Sequence, residues 1–236
     1  MKTLKCEWRK LAFFSYVVPS EILKPYLPPN TELDFYNGDC YVSLVGFQFK
    51  NVKIAGIQVP FHSDFEEINF RFYVKRFDGN KWRHGVVFIR EIVDRPALSV
   101  LANTMLNEHY QTLPTGQEIN DEPGKLTVKY SWEIDQRKDQ LEVQTENTPS
   151  AMPEHGESKF LIHRLWAYGK QDEETTYQYS ISHPEWPTYK VDQYSISVDF
   201  MQFGAGFSFL NGAIPRSVML AEGSKVKVEG LDRLKH

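Results

Sequence analysis

The run Phe65-Glu66-Glu67-Ile68-Asn69-Phe70-Arg71-Phe72-Tyr73-Val74 decides how the rest of the chain is read. Successive side chains of a β-strand point to opposite faces, so Glu67, Asn69, Arg71 and Tyr73 share one side. Glu66 aside, the opposite side carries Ile68, Phe70, Phe72 and Val74, the pattern of a strand docked on an apolar core. The polar side is then either a site or an internal polar network.

The strand continues to about Phe77, bends at Asp78-Gly79-Asn80 and returns as Trp82 to Val93, which predicts an antiparallel pair. Strict alternation on the return puts Arg90 with Val86, Phe88 and Ile92, and Glu91 with Val87 and Ile89. A charge within each apolar face is either at an edge or a partner of Glu67 and Arg71.

Upstream, Trp8 to Val18 reads as a strand, Ser20 caps a short turn cut off by Pro25, Pro28 and Pro29, and Asn37-Gly38-Asp39 joins Leu33–Tyr36 to Cys40–Phe49 as a hairpin. The second arm is apolar on both parities and is expected to be buried on both faces. Downstream, Leu98, Leu101, Ala102, Met105, Leu106 and His109 follow helical spacing, so Arg95 to Tyr110 is expected to be the one long helix. A polar loop then runs through Gly116 and Gly124. Lys125 to Glu133 alternates and returns over Leu141 to Thr145, a half-exposed hairpin. Thr148 to Glu157 is a loop, Phe160 to Tyr168 a short helical or extended segment, and Tyr177–Ile181 and Tyr189–Phe200 bracket the Pro-bounded His183-Pro184-Glu185-Trp186-Pro187. Val218–Leu220 and Val226–Val228 are short strand candidates. The fold class is therefore α+β: a mainly antiparallel, curved or closed sheet with one long helix and a few short ones.

With 236 residues, 41% of them hydrophobic, the chain can bury a sizeable core as a single domain spanning 1–236. A net charge of −4 without Lys/Arg clusters argues against nucleic acid. No window supplies the ~20 apolar residues of a membrane span, and the first ten residues are too charged for a signal peptide, so a cytoplasmic protein is expected. Cys6 and Cys40 are read as free thiols. Sequence leaves a homo-oligomer open.

The segments Leu27-Pro28-Pro29-Asn30-Thr31-Glu32-Leu33-Asp34, Tyr41-Val42-Ser43-Leu44-Val45, Glu67-Ile68-Asn69-Phe70-Arg71-Phe72-Tyr73-Val74 and Gly85-Val86-Val87-Phe88 resemble the domain of unknown function 2071 (YqjF-like) family. Phe160-Leu161-Ile162-His163-Arg164-Leu165-Trp166-Ala167-Tyr168, His183-Pro184-Glu185-Trp186 and Ala221-Glu222-Gly223-Ser224 extend the likeness over nearly the whole chain. The resemblance implies an acetoacetate decarboxylase-like fold, a cone-shaped antiparallel sheet around an internal pocket, and no established activity. In the decarboxylases a lysine just after a long helix forms a Schiff base with a keto acid. Here no lysine stands between Lys81 and Lys125, the matching stretch reads His109-Tyr110-Gln111-Thr112-Leu113-Pro114, and Lys125 and Lys129 take the solvated parity of their strand.

The candidate ligand-binding residues are Glu67, Asn69, Arg71, Tyr73, His109, Tyr110 and His183. An arginine fork suits a carboxylate, Glu67 can hold that fork, and Asn69 and Tyr73 can orient the remainder of a small organic anion. The competing reading is a structural Arg–Glu pair. His109 is either an acid or base at the helix end or a core histidine, Tyr110 stands where the lysine is missing, and His183 is a donor at the rim or a loop-packing residue. Tyr41, Phe47 and Trp82 are expected to enclose the ligand's apolar part, and Trp186 to plug one end of the sheet. No cofactor or metal is expected: metal-binding motifs are lacking and Gly204-Ala205-Gly206 lacks nucleotide-loop spacing. Three readings remain: a small-molecule-binding barrel, an enzyme using Glu67, His109 or Tyr110 without a lysine, and an interaction module whose contact surface is the loop Gln111–Gly124.

Overall fold

The computed structural model describes residues 3–58, 63–97, 99–100, 103 and 109–235. Its main sheet contains β1 (Leu4–Val17), β2 (Glu32–Leu33), β3 (Tyr41–Ile54), β4 (Ile57–Gln58), β5 (Phe65–Phe77), β6 (Trp82–Val93), β7 (Tyr110–Thr112), β11 (Trp166–Lys170), β12 (Thr175–Ser182), β13 (Thr188–Tyr189) and β15 (Ser217–Lys235). A second sheet is formed by β8 (Thr115–Glu122), β9 (Lys125–Ile134), β10 (Arg137–Thr145) and β14 (Val191–Ser197), in the order β14-β10-β9-β8.

Strand β5 pairs with β3 on one side and β6 on the other, so the path β5-β3-β1-β15-β12-β11-β6 returns to its start as a closed ring. The neighbours are antiparallel except β11 and β6, which run parallel. All seven ring strands contribute to the apolar cluster on the enclosed side, which includes Phe13, Val45, Phe47, Tyr73, Phe88, Ala167, Tyr179 and Met219. The opposite side packs Phe14, Leu44, Phe70 and Ile89 against Val128, Tyr130 and Leu141 of the second sheet and against Phe200, Phe203 and Phe207 of two 3₁₀ turns. Both faces of β3 and β5 are therefore buried, as the doubly apolar β3 predicts. Gly46 permits the close approach of the second sheet: a Cβ there would stand 2.7 Å from the Tyr130 ring.

The bends follow their sequence, with φ of 52° and 88° at Asn37 and Gly38 and 95° at Gly79, but the first closes no hairpin: only the Tyr36–Asp39 bridge joins its arms, and Leu33 pairs with Val74 of β5 instead. Asp78 Oδ1 accepts hydrogen bonds from the Asn80 and Lys81 amides. The 3₁₀ turn Ser20–Tyr26 has Pro19 rather than Ser20 at its N-cap, with no side-chain cap.

Four further expectations change. Of the helix expected over 95–110, residues 96–97, 99–100 and 103 are helical and 98, 101–102 and 104–108 lie outside the described residues; His109 is already non-helical and Tyr110 begins β7. The polar loop through Gly116 is the edge strand β8, paired with β9 along its length. The two short C-terminal candidates are one strand of 19 residues. Inside β6 the register shifts, with Phe70 opposite Arg90 but Arg71 opposite Phe88. This bulge returns Glu91 to the face of Val86 and Phe88.

Cys6 and Cys40 are buried free thiols. No helix among the described residues is long and apolar enough to cross a membrane.

Candidate functional site

Residues opposite one another on adjacent antiparallel strands project to the same face. Glu67 faces Phe47, Asn69 faces Val45 and Glu91, Arg71 faces Ser43 and Phe88, and Tyr73 faces Val86. The polar side of β5 is thus turned into the ring. Glu67, Asn69 and Glu91 are each 2% exposed and Arg71 is 8% exposed.

The face divides into an acidic and a basic end. At the acidic end Glu67 Oε1 accepts from Asn69 Nδ2 at 3.1 Å and Oε2 accepts from the Tyr110 hydroxyl at 3.0 Å. Tyr110 is brought there by β7, which runs parallel to β6 and sets Tyr110 against Glu91. The Asn103 side chain braces it, donating to the Tyr110 carbonyl at 2.9 Å and accepting from its amide at 2.8 Å.

At the basic end the Arg71 guanidinium lies over Phe13 and Tyr73, 5.2 and 5.8 Å from their ring centroids. Its Nη2 donates to the Leu161 carbonyl, in the last turn of helix α1 (Glu157–Ile162), where the helix dipole favours a cation. Glu67 does not hold this fork: Arg71 has no ion-pair partner among the described residues, and its buried Nε has no hydrogen-bond acceptor. Tyr73 hydroxyl and Ser43 Oγ are 2.6 Å apart, and Ser43 and Ser15 Oγ 2.7 Å.

His183 stacks on Trp186, ring centroids 4.0 Å apart, and meets His163 edge-on at 5.5 Å. Its Nδ1 donates to the Pro184 carbonyl, which leaves Nε2 an acceptor in the neutral ring. Burial, with the neighbouring His163 and Arg71 charges, pushes its pKa down to about 4 against the Pro184 bond. Trp186 is buried, donates Nε1 to Ser224 Oγ and packs edge-on against Trp8.

Five of the seven candidates therefore line the enclosed face, and His183 stands close enough to Arg71 to feel its charge. His109 does not join them. It is exposed and borders a cleft of about 270 Å³ with Tyr26, Val87, Phe88, Lys170 and Tyr177. Tyr41 and Phe47 belong to the enclosed cluster, whereas Trp82 is 42% exposed at the far end of the β5–β6 hairpin beside Phe77. Lys125 is exposed and Lys129 pairs with Glu118 on the second sheet, outside the ring.

Sequence reasoning passed over Ser15, Ser43, Asp34 and Arg164. Asp34 Oδ2 accepts from Arg164 Nη1 and meets His84 Nδ1, both at 2.6 Å. Burial raises the Asp34 pKa, but the His84 and Arg164 contacts outweigh it and hold the carboxyl below its ordinary range. The signal for the serines is a hydroxyl on the inward parity of otherwise apolar strands; for Arg164 it is a guanidinium between Leu161-Ile162 and Leu165-Trp166. No group of three or more His, Cys, Asp or Glu among the described residues is arranged to hold a metal ion.

This closed ring with an inward polar strand is the acetoacetate decarboxylase-like fold. A decarboxylase-like enzyme from Sphingomonas wittichii RW1 superposes with a TM-score of 0.67 at 11% identity, over all of this chain and 94% of that one. The enduracididine biosynthesis enzyme MppR, solved with the condensation product of pyruvate and imidazole 4-carboxaldehyde, gives 0.66 at 14% identity over 99% and 89%. The acetoacetate decarboxylase of Legionella pneumophila gives 0.64 at 9% identity over 98% and 86%. The chain itself belongs to the DUF2071 family, an uncharacterized conserved protein family (COG2071), whose model matches residues 5–225. A relative, uncharacterized protein YqjF of Bacillus subtilis (strain 168), is 29% identical over 104 residues, 44% of this chain and 41% of that protein.

Proposed function

We propose that the enclosed face binds a small carboxylate-bearing metabolite at Arg71. One observation carries this reading: a guanidinium that is 8% exposed lies inside the ring with no carboxylate partner among the described residues and with an unmatched Nε. Burying an uncompensated cation costs several kcal/mol, and a ligand carboxylate removes that cost through charge-assisted hydrogen bonds. Tyr41, Phe47 and Phe13 supply the apolar wall, and neutral His183 supplies an acceptor beside the anchor. The fold neighbour MppR has been solved with pyruvate, a small keto acid. The test is a thermal-shift screen of carboxylates and keto acids against wild type and Arg71→Met. Saturation near 100 times Kd adds about 2.7 kcal/mol, a rise of roughly 5–10 °C at this size. A shift in wild type that the folded variant lacks supports the reading; equal shifts in both overturn it.

The Tyr110–Glu67 hydrogen bond favours a second reading, a keto-acid enzyme that moves a proton between phenol and carboxylate instead of forming a Schiff base. It requires turnover that Glu67→Gln abolishes while the fold is retained.

A further inference from the structure

We infer that Arg164 is a second anion-binding arm of this site and that the ligand is a short dicarboxylate, with one carboxylate on Arg71 and the other on Arg164. The inference rests on Arg71 being a carboxylate anchor, and it follows from what the second arginine does.

Arg164 is 5% exposed and stands just past His163, the C-cap of α1. Its guanidinium carbon lies 4.0 Å from the Phe160 ring centroid and 5.2 Å from that of Tyr73, the same ring that Arg71 overlies at 5.8 Å. Two guanidinium groups thus share one aromatic neighbour. Their donors are only partly used. Arg164 Nε donates to the Phe160 carbonyl and Nη1 to Asp34, while buried Nη2 has no acceptor among the described residues. Arg71 Nη2 donates to Leu161, and its buried Nε likewise has none among them. Bracing the last turn of α1 occupies one donor of each arginine and accounts for neither unmatched arm.

The charges point the same way. Asp34 is the carboxylate paired with Arg164, and it also meets His84. Among the described residues no other carboxylate is ion-paired with either guanidinium, so the second cation has no counter-charge of its own. Each arginine also disfavours the charge on the other, as the lowered Arg164 pKa, caused first by burial, reflects in its Arg71 contribution. A ligand with one carboxylate satisfies one arm. A ligand with two satisfies both and cancels the repulsion between them.

The experiment is calorimetric titration of the full chain with acids matched in length: malonate, succinate and glutarate against propionate, butyrate and valerate, and the best diacid against its monomethyl ester. Wild type is expected to bind one diacid at least about tenfold more tightly than the matched monoacid and the half-ester, the scale of one charge-assisted pair. Arg164→Lys, which retains a cation for Asp34 but loses the fork, is expected to reduce that preference to below about threefold. Equal affinity for diacid, monoacid and half-ester in wild type overturns the inference, as one carboxylate bridging both arms would produce. So does an Arg164→Lys variant that keeps the diacid preference. If Arg164→Lys does not fold, the half-ester comparison on wild type decides alone. Monoacid binding that Arg71→Met removes, without a diacid preference, leaves the Arg71 reading intact and this one refuted. Absence of binding by every acid refutes both.

Discussion

Asp34 carries more of the fold than its position in a Pro-rich segment suggests. It compensates a guanidinium buried against the Phe160 and Tyr73 rings. Removing one partner of a buried pair leaves the other uncompensated, so Asp34→Asn is expected to lower stability by about 3 kcal/mol in urea unfolding. A loss under 1 kcal/mol would show that Arg164 has another counter-charge. His183 makes a second prediction. Its folded pKa of about 4 lies below the ordinary 6.5, so between these values the unfolded chain binds more protons. The stability it contributes is present above pH 6.5 and declines as pH falls towards 4, by roughly 2–3 kcal/mol. Urea midpoints across that window should fall less steeply in His183→Gln; parallel slopes would place the titration elsewhere. At this scale the sequence showed Glu67, Asn69, Arg71 and Tyr73 on one face because strand period alone decides it. It did not show Arg164, whose meaning depends on Asp34, 130 residues away.

Strands were legible where alternation and turn chemistry agreed, as in β3, β5 and the β9–β10 hairpin, and illegible where the backbone departs from alternation. The β6 bulge makes Ile89 and Arg90 face the same way, so no parity count could place Glu91 beside Asn69. Strand β15 reads as two pieces because Gly223 interrupts its apolar pattern and Gly230 ends it. Both glycines are kinks, with φ of 83° and 71°, inside a continuous strand. Gly223 is the stricter: a Cβ there would come within 2.0 Å of the Trp8 carbonyl oxygen on β1. Backbone cannot yield as a side-chain tip can, and positive φ adds strain. Gly223→Ala is therefore expected to cost at least ~2 kcal/mol in chemical unfolding. Tolerance of the alanine would mean that β1 and β15 can separate locally.

At the scale of the molecule, a curved antiparallel sheet could be foreseen from the strand count and the family resemblance. The closing pairs, such as β11 with β6, could not, since a two-residue parallel contact leaves no pattern in sequence. The ring depends on partners distant along the chain: β1 lies between β3 and β15, and β15 begins at Ser217. During synthesis at ~5–20 residues per second, one edge of β1 therefore waits on the order of ten to forty seconds for its partner. Throughout that interval a half-built sheet presents Phe13 and Phe14 beside an open row of amides and carbonyls, the template on which unrelated chains aggregate. What shields that edge on the ribosome is accordingly expected to weigh on the yield of folded protein as much as the stability of the finished ring does.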